Sequence, residues 1–570
     1  MIIVMILTLS ISGCKKDERE DFEAYSEQLA KQIVEESPLN ATFMYSDLEK
    51  AGLGDLLSKI DDMSTTAIEK TVTDAQDVLK NLKEIDRSSL DTEQKLTYDM
   101  MLFQNEGVLD GEKYLYYENA FQPASGVQIN IPIALMQIEL ETEKEVVAYI
   151  ERCKQIPKLF SQYMDYEKKR LEDQIILPDS LYDAVLEEID GLLVEPEEFM
   201  MYLSFCDRVD ALSELDDAKK AQYKASYLEV VKSDIYPAFE DVKTALEEIK
   251  AGSENTMGIS QWKDGQDYYD YLVKYGTSYD MDAEDLRAWA QDQMNDANTK
   301  IQAFLAAHTE IVSNEDLNAL MPVVDTKEKM LEIENKFLSE EFIDYEVQRA
   351  SENIIPAYLE EHLPPAFYFP ISLDGQDYGN MYMSQDAFSN ITEATLETDM
   401  HEDLPGHHLY FSVLYGSDLP LIRKVYDFNA YVEGWAQYIQ GKVYEFTASD
   451  PLVADFWKAL IQMNYAYSVN MDVEVNYDGI SKEDAIAMYL QMGYDEETAS
   501  SAYNRMIANP GELIDYYYGS YVFEGYLEKC KEEQGEKFDI KAFHDMILTH
   551  GGLPFSVMDE VVDDYIAAND

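Results

Sequence analysis

Histidines are scarce in this chain, and three of the seven in 570 residues stand close together. His401, His407 and His408 all lie in the stretch TDMHEDLPGHHLYFSV, and Glu402 directly follows the first of them. A His-Glu pair begins the HExxH pattern, in which two imidazoles four residues apart on a helix bind zinc beside a catalytic glutamate. These residue types therefore predict a metal site of the kind that activates water.

The spacing differs from that pattern, because Pro405 and Gly406 stand where the second histidine is expected. In an ideal helix His407 would face away from His401, and His408 would return to the same face roughly 10.5 Å away. Proline removes a backbone donor and glycine accepts unusual backbone angles, so a bulge at this point would bring His407 beside His401. Two alternatives stay open: a helix that simply ends before the proline, and a histidine pair that binds a structural metal.

Glu433 is the candidate for a third ligand, which a catalytic zinc site needs beside one open position. It lies in YDFNAYVEGWAQYIQGKVYEF, a segment with a helical pattern, between valine on one side and Gly-Trp-Ala on the other. A carboxylate in such apolar company is costly unless it is paired or bound to metal. Cysteine ligands are not expected, because the few cysteines are widely scattered along the chain.

The elements that position these residues are mainly helical. Long segments carry apolar residues at three- and four-residue spacing, and glycine and proline are sparse. Only residues 364–386 alternate aromatic and polar residues between proline and glycine, which predicts one or two hairpins forming a cleft wall. We therefore expect a large helical body with a small β element beside the active-site cleft. A helical region at 23–355 would precede a catalytic region at 356–570.

The N-terminus resembles a bacterial lipoprotein signal. Residues 1–14 are an apolar run ending in Ile-Ser-Gly-Cys, and the charged residues 15–22 follow as a tether. Cys14 would carry the lipid, so we expect an extracytoplasmic protein that meets the membrane only through this anchor. No other stretch approaches the roughly 20 apolar residues of a spanning helix.

The charge balance argues against nucleic acid as a partner. The chain has 113 acidic and 44 basic residues, and its formal net charge is -69. Such a surface repels phosphate backbones and anionic lipids.

The motifs resemble those of known metallopeptidases. HEDLPGHHL looks like the HExGHxL signature of oligopeptidase-like metallopeptidases, with two extra residues between the Glu and the Gly. Dipeptidyl peptidase III resembles the same signature with one extra residue. EGWA is similar to the Glu-Gly-aromatic-Ala of gluzincin aminopeptidases. Over roughly residues 20 to 565 the chain resembles the bacterial family catalogued as domain of unknown function 885. That family's ordered pattern appears here as HEDLPGHHL, EGWAQY, PGELIDYYYG and FHDMILTHGGLP.

The resemblance implies a gluzincin-type zinc metallopeptidase that hydrolyses peptides. His401, His407 and Glu433 would hold one Zn²⁺ per chain, with His408 as the alternative second ligand. Glu402 would take the proton from the attacking water and pass it to the leaving amine. A peptide- or solute-binding lipoprotein with a degenerate metal site is the alternative.

Further roles follow from the same resemblance. Tyr516 is the first candidate for stabilising the oxyanion and His544 the second, although His544 lies in an apolar helical pattern that also suits a core histidine. Arg505 would clamp a substrate carboxylate, and His408 would orient the substrate if it is not a ligand. The family usually has Gln where this chain has Glu512, and Ser-Tyr-Lys where it has Asp-Tyr-Tyr, which bears on substrate preference.

Overall fold

The computed structural model describes residues 18–569 apart from a few short gaps, which are 254, 312, 314–319, 321–323, 358, 359, 361–364, 376–378, 427 and 449. The predicted lipoprotein signal and Cys14 lie outside the described residues.

Helices build almost all of the first region. Local capping explains several boundaries: Asp91 and Gln94 form a capping box, as do Thr142 and Glu145, each satisfying amides that the first turn leaves unpaired. The α-helices are Glu18–Glu36, Pro38–Met44, Thr65–Lys83, Thr92–Asp110, Val127–Gln137, Glu143–Cys153, Ile156–Glu172, Asp179–Leu192, Met200–Ala211, Asp217–Val230, Tyr236–Ala251, Gly265–Thr277, Ala283–Ala307 and Lys327–Glu341, with a π-helical turn at Val231–Ile235 and 3-10 turns at Gly54–Leu56, Arg87–Ser89, Glu112–Tyr114 and Gly258–Gln261.

The second region is also helical and contains the candidate site. Its α-helices are Gln385–Ser389, Glu393–Glu402, His407–Gly416, Leu421–Val425, Asn429–Thr447, Pro451–Val473, Lys482–Gln491, Glu496–Ala508, Gly519–Gln534, Ile540–His550 and Phe555–Asn569, with π-helical turns at Glu474–Asp478 and Ile514–Tyr518 and a 3-10 turn at Gly535–Lys537. The prediction of a mainly helical fold is confirmed.

A small sheet precedes the histidine cluster in the chain. Strands β2 (Ala366–Phe369) and β3 (Asn380–Met383) pair antiparallel, with Ala366 opposite Met383, as the alternating pattern predicts. Strand β1 (Ser351–Ile354), which the pattern did not reveal, pairs with β3 in parallel and completes the order β1-β3-β2.

Buried apolar residues of both regions form one continuous core, which includes Phe22 near one end of the described chain and Ile566 near the other. The division at residues 355/356 stays a prediction, and this core crosses it. None of the described helices combines the length and apolar character that a membrane crossing requires.

Candidate metal centre

The two histidines come together because one helix ends and another begins between them. The His401 helix (Glu393–Glu402) stops before the proline, and the His407 helix (His407–Gly416) starts after the glycine. A Cβ on Gly406 would lie 1.9 Å from the His401 carbonyl oxygen, so only glycine fits where the backbone turns back on the helix end. The imidazole centroids are 4.8 Å apart. We expected a bulge within one helix to bring His407 beside His401. Instead, two separate helices joined by a tight connection bring the two histidines together.

The Glu433 helix (Asn429–Thr447) brings the carboxylate to the imidazoles. Gly434 faces Gly519 so closely that a Cβ on Gly434 would lie 2.6 Å from the Gly519 Cα, which lets two helices cross at backbone contact. The next residue, Trp435, donates its indole N–H to the Pro405 carbonyl at 3.1 Å. The EGW motif thus supplies a carboxylate, a close helix crossing and a contact to the connection between the histidines.

The three side chains have the geometry of a metal-ligand set. The Glu433 Oε2 lies 3.7 Å from the His401 Nε2 and 3.5 Å from the His407 Nε2. Tetrahedral zinc with bonds of about 2.0–2.1 Å separates its ligand atoms by about 3.4 Å. Among the described residues this is the one cluster of three or more His, Cys, Asp or Glu side chains arranged to hold an ion.

Electrostatics keep Glu433 ionised. Burial alone would raise the pKa of this carboxyl, but hydrogen bonds and charge from both imidazoles hold the pKa at about 2. Two nitrogen donors and one ionised oxygen, 10–21% exposed, suit a borderline metal ion such as zinc.

Glu402 lies next to this set in a different environment. Burial and, to a smaller extent, the nearby Glu433 charge raise the pKa of its carboxyl, whereas His401 and the Tyr368 backbone N–H lower it, and the resulting pKa is about 7. That N–H belongs to strand β2, so the small sheet directly contacts the candidate general base.

A buried ion-pair network stabilises the connection between the histidines. Arg349 donates to Asp403 at 2.9 Å and to Asp399 at 3.4 Å, and it also pairs with Glu334. The Ala350 backbone N–H donates to the second Asp403 oxygen at 3.0 Å. Through these bonds Asp403, the first residue of the connection between the histidine helices, is held against the segment that precedes strand β1.

Asp399 and Glu397, which precede His401 on its helix, are the nearby carboxylates in the sequence that could accept from its ring, but both bind other groups. Asp399 is bound to Arg349, and Glu397 accepts a hydrogen bond from Tyr444 at 2.5 Å. Within the described part of the chain, the Nδ1 atoms of His401 and His407 are buried without a hydrogen-bond partner.

Tyr516 lies in the π-helical turn Ile514–Tyr518, close enough to Glu433 and Glu402 for their charges to affect its pKa. Burial raises its pKa first, and the negative charges of Glu433, Glu512 and Glu402 raise it further. The phenol therefore keeps its proton, and π-helical turns are frequent at functional sites.

Arg505 is near this turn but already has a partner. Its guanidinium donates to both Glu512 oxygens, at 2.9 and 3.1 Å. A substrate carboxylate would have to compete with this ion pair, so the predicted clamp stays a prediction.

His408 and His544 make their hydrogen bonds to groups outside the triad, which argues against the roles predicted for them. His408 is buried; its Nε2 donates to the Gln348 carbonyl at 2.6 Å, and its Nδ1 accepts from the Tyr368 hydroxyl at 2.8 Å. With both nitrogens bound, this ring is available neither as a metal ligand nor for substrate.

His544 is a core residue. Its Nδ1 donates to the Glu341 carbonyl and its Nε2 accepts from the Tyr438 hydroxyl, both at 2.9 Å. Burial lowers the pKa of the imidazole to about 3, so the ring is neutral. It stacks on Phe342 with ring centroids 4.5 Å apart.

Sequence reasoning missed Arg349 and Tyr368, which support the site from the segment before it. Arg349 stands in a charged stretch and Tyr368 in the aromatic strand pattern, so neither carries a local signal of its role.

The fold and site define a mainly helical protein in which two histidines and a glutamate converge beside a second glutamate. The chain belongs to a family described as "Bacterial protein of unknown function (DUF885)", whose model matches residues 48–562. No curated protein matches the chain.

Two solved structures share this fold. "The putative lipoprotein from Colwellia psychrerythraea" has a TM-score of 0.85 and 20% identity, covering 97% of this chain and 100% of that one. A lipoprotein of unknown function from Shewanella oneidensis, likewise described as "putative", has a TM-score of 0.66 and 15% identity, covering 96% and 99%. At these identities the likeness shows the fold alone.

Proposed function

We propose that the protein is a zinc-dependent peptidase that acts outside the cytoplasm and is tethered through a lipid on Cys14. The convergence of His401, His407 and Glu433 beside Glu402 carries this proposal. The lipoprotein descriptions of the two structural neighbours support the predicted location.

The triad, Glu402 and Tyr516 would each have a separate role in peptide hydrolysis. Zinc bound by the triad would supply an acidified water and polarise the scissile carbonyl. Glu402, with a pKa near 7, suits a group that takes a proton from the attacking water and gives it to the leaving amine. Tyr516 keeps its proton and would donate its hydroxyl to the oxygen on which negative charge develops.

The decisive experiment measures zinc content and peptide-library cleavage on the same samples of wild type and Glu402→Gln. We expect one zinc per chain in both, and a fall in kcat/KM of about 10²–10⁴-fold in the variant, because only proton transfer is removed. Glu393→Gln is the matched control: it lies in the first turn of the same helix, where its Oε1 accepts from the Val324 N–H at 3.1 Å.

The outcomes separate the candidate functions. A wild-type protein that holds no zinc and is unchanged by His401→Ala would contradict both the metal site and the enzyme. Zinc with peptide binding but no cleavage would favour a binding lipoprotein with a degenerate site.

A further inference from the structure

A cavity of about 710 Å³ lies between the Glu433 helix and the helices Ala283–Ala307, Pro451–Val473 and Gly519–Gln534. Its volume falls in the range of about 300–1,000 Å³ that is typical of pockets for small ligands. It is therefore large enough to receive part of a peptide.

Aromatic rings form much of its wall. Tyr465 and Tyr517 stack in parallel, with centroids 4.0 Å apart. The faces of aromatic rings carry partial negative charge and attract cations. The aromatic residues that line the cavity are Trp289, Tyr438, Tyr465, Tyr517 and Tyr521.

The charged groups of the cavity also favour a cation. Lys458 pairs with Glu445 at 2.5 Å, and Lys300 pairs with Asp296 at 2.7 Å, so both lining lysines are already neutralised. The exposed Asp455 has no ionic partner in the described part of the chain. The lining carboxylates are Asp296, Asp455, Glu524 and Glu528. Three of these carboxylates also pair with lysines, at 2.7 Å for Asp296, 3.7 Å for Glu524 and 2.9 Å for Glu528. Asp455 is therefore the lining carboxylate whose charge is not compensated within the described part of the chain, and the net charge of -69 adds to the repulsion of an anion.

The cavity and the candidate metal centre share the Glu433 helix and the π-helical turn Ile514–Tyr518. Gln437, which lines it, follows Glu433 by four residues on the same helix face, about 6 Å along the axis. Tyr517, another lining residue, directly follows Tyr516. A peptide held at the triad could therefore reach the cavity with a neighbouring side chain.

We propose that this cavity binds the basic side chain, lysine or arginine, of a bound peptide. The proposal rests on the proposed function in taking as the ligand a peptide that is held at the triad. The aromatic faces would contact the cation, and Asp455 would compensate its charge.

The test uses zinc-loaded Glu402→Gln protein and isothermal titration with blocked tripeptides Ala-X-Ala, where X is lysine, norleucine or glutamate. We expect the lysine peptide to bind about tenfold more tightly than the norleucine peptide, because the two differ only in the ammonium group. Added Asp455→Asn or Tyr521→Ala should reduce the preference to about threefold or less. Both side chains are exposed, so neither change should disturb the core.

Asp292→Asn is the matched control, since it removes one exposed carboxylate from the Ala283–Ala307 helix without lining the cavity. Equal binding of the three peptides, or a lysine preference that survives both cavity changes, would overturn the proposal. A lysine preference without hydrolysis in the wild type would contradict the proposed peptidase alone. Hydrolysis without the preference would contradict the cavity assignment alone.

Discussion

Two neighbouring carboxylates in the site have very different pKa values because their surroundings differ. Burial raises the pKa of Glu402 to about 7, whereas two imidazoles overcome burial and hold the pKa of Glu433 at about 2. Environments that separate the pKa values of paired groups are how sites assign a ligand and a proton carrier. The arrangement thus keeps Glu433 ionised, as a ligand requires, and gives Glu402 a pKa at which it can both take up and release a proton near pH 7.

Tyr516→Phe tests the oxyanion role at the level of a single hydroxyl. We expect kcat to fall by about 10²–10³-fold, with zinc content unchanged, because the ring remains and one donor is lost. Steady-state kinetics with a library-selected peptide and metal analysis provide the measurement.

Tyr518→Phe is the control, since it removes the hydroxyl of a buried tyrosine in the same π-helical turn, 3.4 Å from the Met281 sulfur. If both variants kept wild-type kcat, Tyr516 would have no part in the reaction.

Individual residues differ in how far the sequence alone predicted them. His401, Glu402 and Glu433 stand in short motifs whose chemistry is local. The partners of His408 and His544 lie 40 or more residues away, at Tyr368, Gln348 and Glu341. Whether an imidazole is free or bound in the core depends on such contacts, so spacing could not decide it.

At the scale of elements, the connection between the His401 and His407 helices is the critical part. Gly406→Ala should weaken zinc binding by at least about tenfold and destabilise the fold by about 1–3 kcal/mol, because the new Cβ would overlap the His401 carbonyl oxygen. Zinc titration against a competing chelator and thermal unfolding would measure both effects.

Gly416→Ala is the control for that change. It lies at the end of the His407 helix, where a Cβ meets nothing within 4 Å, so zinc affinity should stay within about twofold and stability within about 1 kcal/mol. Unchanged zinc affinity in Gly406→Ala would show that the tight connection is not needed to pair the histidines.

Periodicity predicted the helices and the β2-β3 hairpin because both depend on neighbouring residues. It could not predict β1, whose four residues, Ser-Glu-Asn-Ile, are mostly exposed and lack an alternating pattern. Only the parallel pairing with β3 makes this segment a strand. Periodicity also could not predict that two helices cross closely at Gly434 and Gly519, because these glycines are 85 residues apart in the sequence.

At the scale of the whole molecule, charge and burial together make stability depend on pH. Burial raises the pKa values of Glu341, Asp472 and Asp515 to about 7, well above the value of about 4 in an unfolded chain. Between pH 4 and 7 the folded protein thus binds more protons than the unfolded one at these groups, and their stabilising contribution is lost as pH rises through about 7. His544, with its pKa lowered to about 3, acts in the opposite direction below about pH 6.5.

We therefore expect the unfolding free energy of the metal-free protein to fall between pH 6.5 and 8, by at most about 1.4 kcal/mol per pH unit for each group. Denaturant titrations at fixed salt would measure it. Asp472→Asn should reduce the slope, because an asparagine amide does not titrate. The native carboxyl is fully buried and accepts from the Tyr269 hydroxyl at 2.5 Å and from the Gly511 N–H at 3.1 Å, and the amide oxygen of asparagine can still accept these bonds. The exposed Asp292→Asn should leave the slope unchanged, and a stability that rises with pH across this window would contradict the assignment.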